Sequence, residues 1–219
     1  MVARHIHLVR HGEVFNPDRV LYGRIQGFGL SEKGMRMATL AATNLAGRDR
    51  TFSKLVASPL QRTRESAEPI ALALGLDITV DERIIEPFNA FEGRHMRGRE
   101  AAWMNPKFWK YLVNPWRPSW GEPYLSIVNR MMAAILDAAH SVEDGDVVLV
   151  SHQLPIWMVN RHLSHKSLAH FPGRRECSLS SITTLEWLNR ADPSRGLQIV
   201  GYVEPAAELA GDSIDVGAV

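Results

Sequence analysis

The chain has 219 residues, of which 45% are hydrophobic and 22% are charged, a composition typical of a globular protein with one sizeable core. Its formal net charge of +1 gives no general attraction to nucleic acid or to an anionic membrane. A single cysteine, Cys177, excludes an intramolecular disulfide, which fits a reducing compartment. No apolar run is long enough to span a bilayer, and the first residues lack signal-peptide features, so we expect a cytoplasmic protein.

Short apolar runs alternate with helical patterns along the chain. Strands are predicted at 6–9, 54–57, 77–80, 146–150, 181–187 and 197–203. Helices are predicted at 31–46 with Ser31 as N-cap, at 58–74, and at 124–142. In the second helix, Ser58 is the predicted N-cap, with Pro59 in the first turn and Gln61 completing a capping box. The alternation predicts an α/β fold, a three-layer sandwich with a mainly parallel central sheet and helices on both faces.

One domain is expected over residues 1–204, with an aromatic-rich insertion at about 95–123. This insertion contains four of the six tryptophans, namely Trp103, Trp109, Trp116 and Trp120. It is interpreted either as a lid over a substrate or as a satellite core packed over the sheet. The tail at 205–219 is poor in large apolar residues, and we expect it to be disordered.

Ionisable residues follow three of the predicted strands. The first strand ends in Arg10 and His11, the second leads into the helix that carries Arg62, and the strand at 146–150 leads into His152. The carboxyl ends of strands in an open α/β sheet form the usual ligand crevice, so these side chains should meet at one edge. Because a guanidinium fork matches phosphate oxygens, the sequence predicts a phosphate site there.

A neutral imidazole is a competent nucleophile at physiological pH. Attack by His11 on phosphorus would give a phosphohistidine, which divides one difficult displacement into two easier ones. The two arginines and a cationic His152 would stabilise the charge on the transferring group. The leaving alkoxide then needs a proton, and Glu86 and Glu92 are both candidates for the carboxylic acid that supplies it.

Three segments carry a family resemblance. Residues 8–13 (LVRHGE) resemble the signature motif of the histidine phosphatase superfamily, 58–67 (SPLQRTRESA) resemble its second motif, and 150–156 (VSHQLPI) resemble its third. The stretch from Tyr22-Gly23 to Gly34 is similar to the segment between the first motif and the first helix. The motifs follow the family's order over residues 6–203, and the chain is identified as a member of the phosphoglycerate mutase-like branch.

The resemblance implies specific roles for residues of this chain. His11 would be the phosphoacceptor, Arg10, Arg62 and His152 would bind phosphate, and Glu86 would be the acid and base. It further implies no metal and no cofactor, a small phosphorylated metabolite as substrate, no nucleic acid or membrane partner, and a chain that can form a homodimer.

Two segments depart from the family pattern. Val14 stands where a hydroxyl residue is usual, and Asn16 comes one position earlier than the asparagine that contacts phosphate in the family. Asn16 remains a candidate phosphate ligand. Asn89 and Ala90 stand where a glycine is often found, which leaves the choice between Glu86 and Glu92 open.

The leading functional hypothesis is a phosphatase that acts on a small phosphomonoester. The first alternative is a cofactor-dependent phosphoglycerate mutase, which uses the same groups but protects its phosphohistidine from water. The chain is shorter than typical mutases and lacks the mutase-like Arg-His-Tyr-Gly sequence after Glu86. The second alternative is an inactive relative that binds a phosphorylated ligand, and an inactive protein would have no physical need for all five site residues.

Overall fold

The structure is a computed structural model that describes residues 2–95, 107, 120–171, 173 and 175–211. Most of the predicted tryptophan-rich insertion and the end of the predicted tail therefore lie outside the described residues. The lid hypothesis and the expected disorder beyond residue 211 stay predictions.

Within the described part of the chain, six strands form a single sheet. They are β1 His5–Arg10, β2 Phe52–Ala57, β3 Ile78–Val80, β4 Asp146–Ser151, β5 Ile182–Trp187 and β6 Leu197–Val203. Their order is β3-β2-β4-β1-β5-β6. The first four in this order run parallel, whereas β5 is antiparallel to both of its neighbours. The predicted mainly parallel sheet is confirmed.

Among the described residues, four α-helices lie between these strands in the chain, and a short fifth follows the last strand. They are α1 Glu32–Ala46, α2 Gln61–Leu74, α3 Tyr124–His140, α4 Gln153–Leu163 and α5 Ala207–Ala210. Ser31 caps α1 as predicted, since its side chain accepts a hydrogen bond from the backbone N–H of Gly34. None of the helices in the described ranges is long and apolar enough to cross a bilayer.

Two local predictions about helices are wrong. Ser58 is not the N-cap of α2, because the helix begins three residues later at Gln61 and the Ser58 hydroxyl contacts a histidine ring instead. The predicted disordered tail begins too early, because α5 lies within it. Ala206, just before α5, is buried in a small cluster with Met37 and Leu179, which holds this end of the chain against the domain.

The sheet is buried on both faces. Along β4, Val147 and Leu149 pack into the core that contains residues of α3 and α4, whereas Val148 and Val150 pack into the core that contains residues of α1 and α2. Successive side chains of a strand point to opposite faces, so a continuous apolar run is what a doubly covered strand requires. This confirms the expected layer of helices on each face.

A buried polar pair lies where β1 and β4 begin, at the edge of the sheet opposite the predicted site. The Nε2 atom of His7 lies 3.1 Å from Oδ2 of Asp146, and both side chains are almost completely buried. The other ring nitrogen of His7 lies 3.1 Å from a guanidinium nitrogen of Arg48, which can only donate. Nε2 therefore carries the proton and donates to Asp146. Burial lowers the pKa of His7, although Asp146 opposes this shift.

We expect Leu149→Ala to reduce the free energy of unfolding by about 2–5 kcal/mol, because it opens a cavity in the central strand. Leu149 has no exposed surface, whereas Leu72 on α2 is 87% exposed. Leu72→Ala is thus the matched control and should change stability by no more than about 0.5 kcal/mol. Urea unfolding measures both variants. Equal losses would contradict the described core.

Candidate active site

Parallel pairing of β1 with β4 brings two histidines together. Arg10 pairs with Ser151 in the sheet, and the residue directly after each strand is a histidine. The backbone N–H of His11 donates to the carbonyl of Ser151 at 3.1 Å. The ring centroids of His11 and His152 lie 5.3 Å apart, with an angle of 63° between the ring planes. The two histidines that the sequence predicts at one edge of the sheet therefore face each other.

Close backbone contacts fix the loop after β1. The N–H of Gly12 donates to the hydroxyl of Ser66 at 3.1 Å. A Cβ atom at Gly12 would lie 2.3 Å from the carbonyl oxygen of Gly34, so only glycine fits there. Ser66 belongs to α2, and its hydroxyl also donates to the carbonyl of Arg62. The loop that carries His11 is thus held against α1 and α2.

The ring of His11 presents one nitrogen with a free lone pair. Nδ1 lies 2.8 Å from the carbonyl oxygen of Gly12, which can only accept, so Nδ1 carries the proton and Nε2 carries the lone pair. Burial, followed by the charges of Arg62 and Arg10, holds the pKa of His11 well below its ordinary value of 6.5. The ring is therefore neutral and is a competent nucleophile through Nε2.

Two buried guanidinium groups flank this histidine. Arg10 and Arg62 are 0% and 1% exposed. Arg10 donates to the carbonyl of Cys177 at 2.7 Å, and Arg62 donates to the carbonyl of Gly23 at 2.8 Å. The Arg62 guanidinium also lies 4.8 Å from the centroid of the Tyr22 ring, a cation–π contact. The Nε atom of Arg62 is buried and has no hydrogen-bond partner among the described residues.

The ring of His152 is held by a serine hydroxyl. Its Nε2 atom lies 2.7 Å from Oγ of Ser58, the residue predicted as a helix cap. Burial is the main reason that the pKa of His152 is well below 6.5, and Arg62 contributes. The ring is consequently neutral in the free protein, which corrects the cationic His152 expected from the sequence. A bound phosphate would have to supply the negative charge that makes the cation stable.

Of the two candidate carboxylic acids, Glu86 lies in the site. Its Oε2 atom lies 3.7 Å from Nδ1 of His152, and its Oε1 atom is buried with no hydrogen-bond partner in the described ranges. Burial raises the pKa of Glu86 above its ordinary value, although Arg62 and Arg175 oppose this shift. The raised pKa extends the pH range over which Glu86 holds a proton and can act as an acid.

Glu92 has a structural role instead. Its Oε1 atom accepts the backbone N–H groups of Arg24 at 3.0 Å and of Asn89 at 3.2 Å, which braces the turn that follows Glu86. These contacts favour Glu86 over Glu92 as the acid, and the assignment stays a prediction.

Asn16 is buried in the loop that follows β1. Its side-chain nitrogen donates to the carbonyl of Val20 at 2.8 Å, and its side-chain oxygen accepts the N–H of Val20 at 3.2 Å. The amide therefore closes the loop over 16–20 in the free protein. Contact with phosphate would use its second N–H, and that role stays a prediction.

Sequence reasoning missed Arg175, which approaches Glu86 from the segment between α4 and β5. No periodicity or motif spacing marks this residue, because only the folded chain brings it to the site. The described residues include no group of three or more His, Cys, Asp or Glu side chains that could hold a metal ion.

Residues 6–194 match the sequence profile of the histidine phosphatase superfamily, branch 1, and the chain belongs to this superfamily. It is 45% identical to the protein Rv0525 of Mycobacterium tuberculosis over 202 residues, which are 92% of this chain and 96% of that protein. It is also 31% identical to the probable phosphoglycerate mutase GpmB of Escherichia fergusonii, covering 84% of this chain and 87% of GpmB.

Solved structures share the fold. The mycobacterial glucosyl-3-phosphoglycerate phosphatase Rv2419c superposes with a TM-score of 0.67 at 22% identity, covering 90% of this chain and 96% of its own. A phosphoserine phosphatase mutant from Entamoeba histolytica, in complex with phosphoserine, superposes with a TM-score of 0.72 at 20% identity, covering 94% and 98%.

We expect the His11 imidazole to titrate below 6.5 in the free protein, because burial and two guanidinium groups disfavour its cation. Nitrogen-15 NMR of the histidine rings measures this pKa and also reports the proton on Nδ1. Arg62→Gln removes one of the two charges and should raise the pKa of His11. A ring that titrates at or above 6.5 in the unaltered protein would contradict the described electrostatics.

Proposed function

We propose that this protein is a phosphatase that hydrolyses small phosphomonoesters through a phosphohistidine on His11, without a metal or organic cofactor. One observation carries the proposal. Three buried polar atoms have no hydrogen-bond partner among the described residues and belong to neighbouring groups of one site: Nε of Arg62, Oε1 of Glu86 and Nδ1 of His152. Buried polar groups are nearly always hydrogen-bonded. A bound phosphate would offer several acceptor oxygens to these groups. Its protonated oxygen or its ester oxygen would contact the carboxyl group of Glu86.

The first step transfers the phosphoryl group to the protein. The lone pair on Nε2 of His11 attacks phosphorus, and the bond from phosphorus to the ester oxygen breaks. Arg10 and Arg62 stabilise the charge on the equatorial oxygens. The leaving oxygen takes the proton of Glu86, whose raised pKa keeps that proton available. The products of this step are the free alcohol, an ionised Glu86 and phosphohistidine.

The second step regenerates the protein. The Glu86 carboxylate accepts a proton from water as the water oxygen attacks phosphorus, and the bond to Nε2 of His11 breaks. Inorganic phosphate leaves, and Glu86 is again protonated. The ring needs no external proton, because its Nδ1–H stays bonded to the carbonyl of Gly12 throughout. Protons and bonds therefore balance over the cycle.

A mutase is the second candidate, favoured by the relatives named probable phosphoglycerate mutase GpmB. A mutase returns the phosphoryl group to a sugar acid instead of to water. Hydrolysis is supported by the absence of the mutase-like Arg-His-Tyr-Gly sequence after Glu86. The two superposed structures are named as phosphatases, which is consistent with hydrolysis, although they show only that the fold is shared.

We expect His11→Ala to lower the turnover of p-nitrophenyl phosphate by roughly a thousandfold or more, since it removes the covalent nucleophile. The assay is run in excess EDTA, and activity of the unaltered protein should survive. The control is His162→Ala, which alters an exposed histidine on α4. Near-normal turnover by His11→Ala would rule out the mechanism. If the unaltered protein is inactive, a 3-phosphoglycerate assay primed with 2,3-bisphosphoglycerate tests the mutase.

Glu86→Gln should lower kcat/KM by about a hundredfold or more for an alkyl phosphate, because the alkoxide then leaves without a proton. The loss should be smaller for p-nitrophenyl phosphate, whose leaving group is stable as an anion. Glu92→Gln is the matched control and should leave the ratio between the two substrates unchanged. If Glu92→Gln alters this ratio and Glu86→Gln does not, the acid has been assigned to the wrong residue.

A further inference from the structure

The proposed acid, Glu86, lies in a segment without regular secondary structure. It stands between Ile85, which follows a 3₁₀ turn over Glu82–Ile84, and Pro87, which has no backbone N–H. Glu86 is outside the strands and helices of the described part of the chain, so neither a ladder nor a helix fixes its main chain. The position of the acid therefore depends on other contacts of this segment.

Side chains from three other parts of the chain bind the carbonyl groups around the acid. The hydroxyl of Ser151 donates to the carbonyl of Ile84 at 2.7 Å. The Nη1 atom of Arg130 donates to the carbonyl of Arg83 at 2.6 Å. The third donor is Nε of Arg24, which lies 2.5 Å from the carbonyl oxygen of the acid itself. Of these three donors, Arg24 is the one that contacts the main chain of the acid directly.

Carboxylates hold both the main chain and the side chain of Arg24. Its backbone N–H donates to Oε1 of Glu92 at 3.0 Å. Its Nη2 atom lies 3.8 Å from Oε2 of Glu122. The carboxylate of Glu122 also binds Arg130, with 3.0 Å between Oε1 and Nε and 3.0 Å between Oε2 and Nη2. These contacts fix the direction in which the side chain of Arg24 extends toward the acid.

The residue before Arg24 contacts the phosphate end of the site. The carbonyl of Gly23 accepts a hydrogen bond from Nη2 of Arg62 at 2.8 Å. Gly23 has a φ of +40°, and a Cβ atom there would lie 2.2 Å from Oε1 of Glu92, so glycine is required. Two consecutive residues therefore connect Arg62, a proposed phosphate ligand, to the main chain of Glu86, the proposed acid.

We propose that Arg24 is a positioning residue, which holds the carboxyl group of Glu86 beside His152 for proton transfer to the leaving oxygen. Arg24 acts through the main chain of Glu86 and does not contact the substrate. The inference rests on the proposed function for the role of Glu86 as the acid. It predicts that loss of Arg24 selectively slows the reaction of substrates whose leaving group needs a proton.

The dependence of the rate on the leaving group tests the inference. Arg24→Met keeps an unbranched side chain but removes the donor and the charge. It should lower kcat/KM about ten- to a hundredfold for an alkyl phosphate and less than about threefold for p-nitrophenyl phosphate. Arg24→Lys retains a charged donor and should restore part of the loss. Arg64→Met, which removes the same charge from an exposed face of α2, is the matched control and should change neither value.

A double-mutant cycle separates positioning of the acid from general damage to the site. In the Glu86→Gln protein, Arg24→Met should lower kcat/KM for the alkyl phosphate less than about threefold, because the acid is already absent. Calorimetry measures the binding of inorganic phosphate to the His11→Ala protein. Adding Arg24→Met should change this affinity less than about threefold, because Arg62 keeps its hydrogen bond to the carbonyl of Gly23.

Three results would overturn the inference: no loss in Arg24→Met, an equal loss for both substrates, or an undiminished loss for the alkyl phosphate in the Glu86→Gln protein. The last two would make Arg24 a support of the fold and not of the acid.

The proposed function fails separately, if the unaltered protein hydrolyses neither substrate. A crystal structure of Arg24→Met then decides the inference. The distance from Oε2 of Glu86 to Nδ1 of His152, which is 3.7 Å with Arg24 in place, should increase. An unchanged distance would show that Arg24 does not position the carboxyl group.

Discussion

The site depends on positive charge that is kept out of water. Arg10 and Arg62 are almost completely buried, and each donates a hydrogen bond to a backbone carbonyl. Removing an ion from water costs several kcal/mol even after the protein relaxes. Burial, with a smaller contribution from these charges, also keeps the neighbouring imidazoles neutral. A ligand with two or more negative charges is the natural complement of such a pocket.

Burial acts on the two kinds of titratable group in opposite directions. It lowers the pKa of His11, which exposes a lone pair, and it raises the pKa of Glu86, which retains a proton. The two shifts therefore widen the pH range in which the proposed nucleophile is neutral and the proposed acid is protonated. Neither shift requires a special partner for the residue concerned. Each follows mainly from burial at the covered end of a parallel sheet; the neighbouring arginines add to the shift of His11 and oppose that of Glu86.

Much of this could be predicted from the sequence. Alternating apolar runs located all six strands, and His11 and His152 were expected at one edge because each directly follows a strand. The predictions that were wrong or left open concern side chains whose contacts involve residues far away in the sequence. Ser58 precedes a proline and looks like a helix cap, but its hydroxyl bonds to His152, 94 residues away in the chain. The choice between Glu86 and Glu92 depends on burial, and Arg175 reaches the site from a connection without a motif.

The buried pair of His7 and Asp146 has a consequence for the distant end of the same strands. If β4 shifted along β1, valine side chains would still occupy the apolar positions on both faces. The shift would therefore lose little hydrophobic burial. A slip of β4 against β1 would separate the buried carboxylate of Asp146 from the ring of His7 and from the backbone N–H of His5, which both donate to it. These hydrogen bonds favour the observed register of β1 and β4. The same register aligns His11 and His152, each of which directly follows its strand at the opposite end of the sheet.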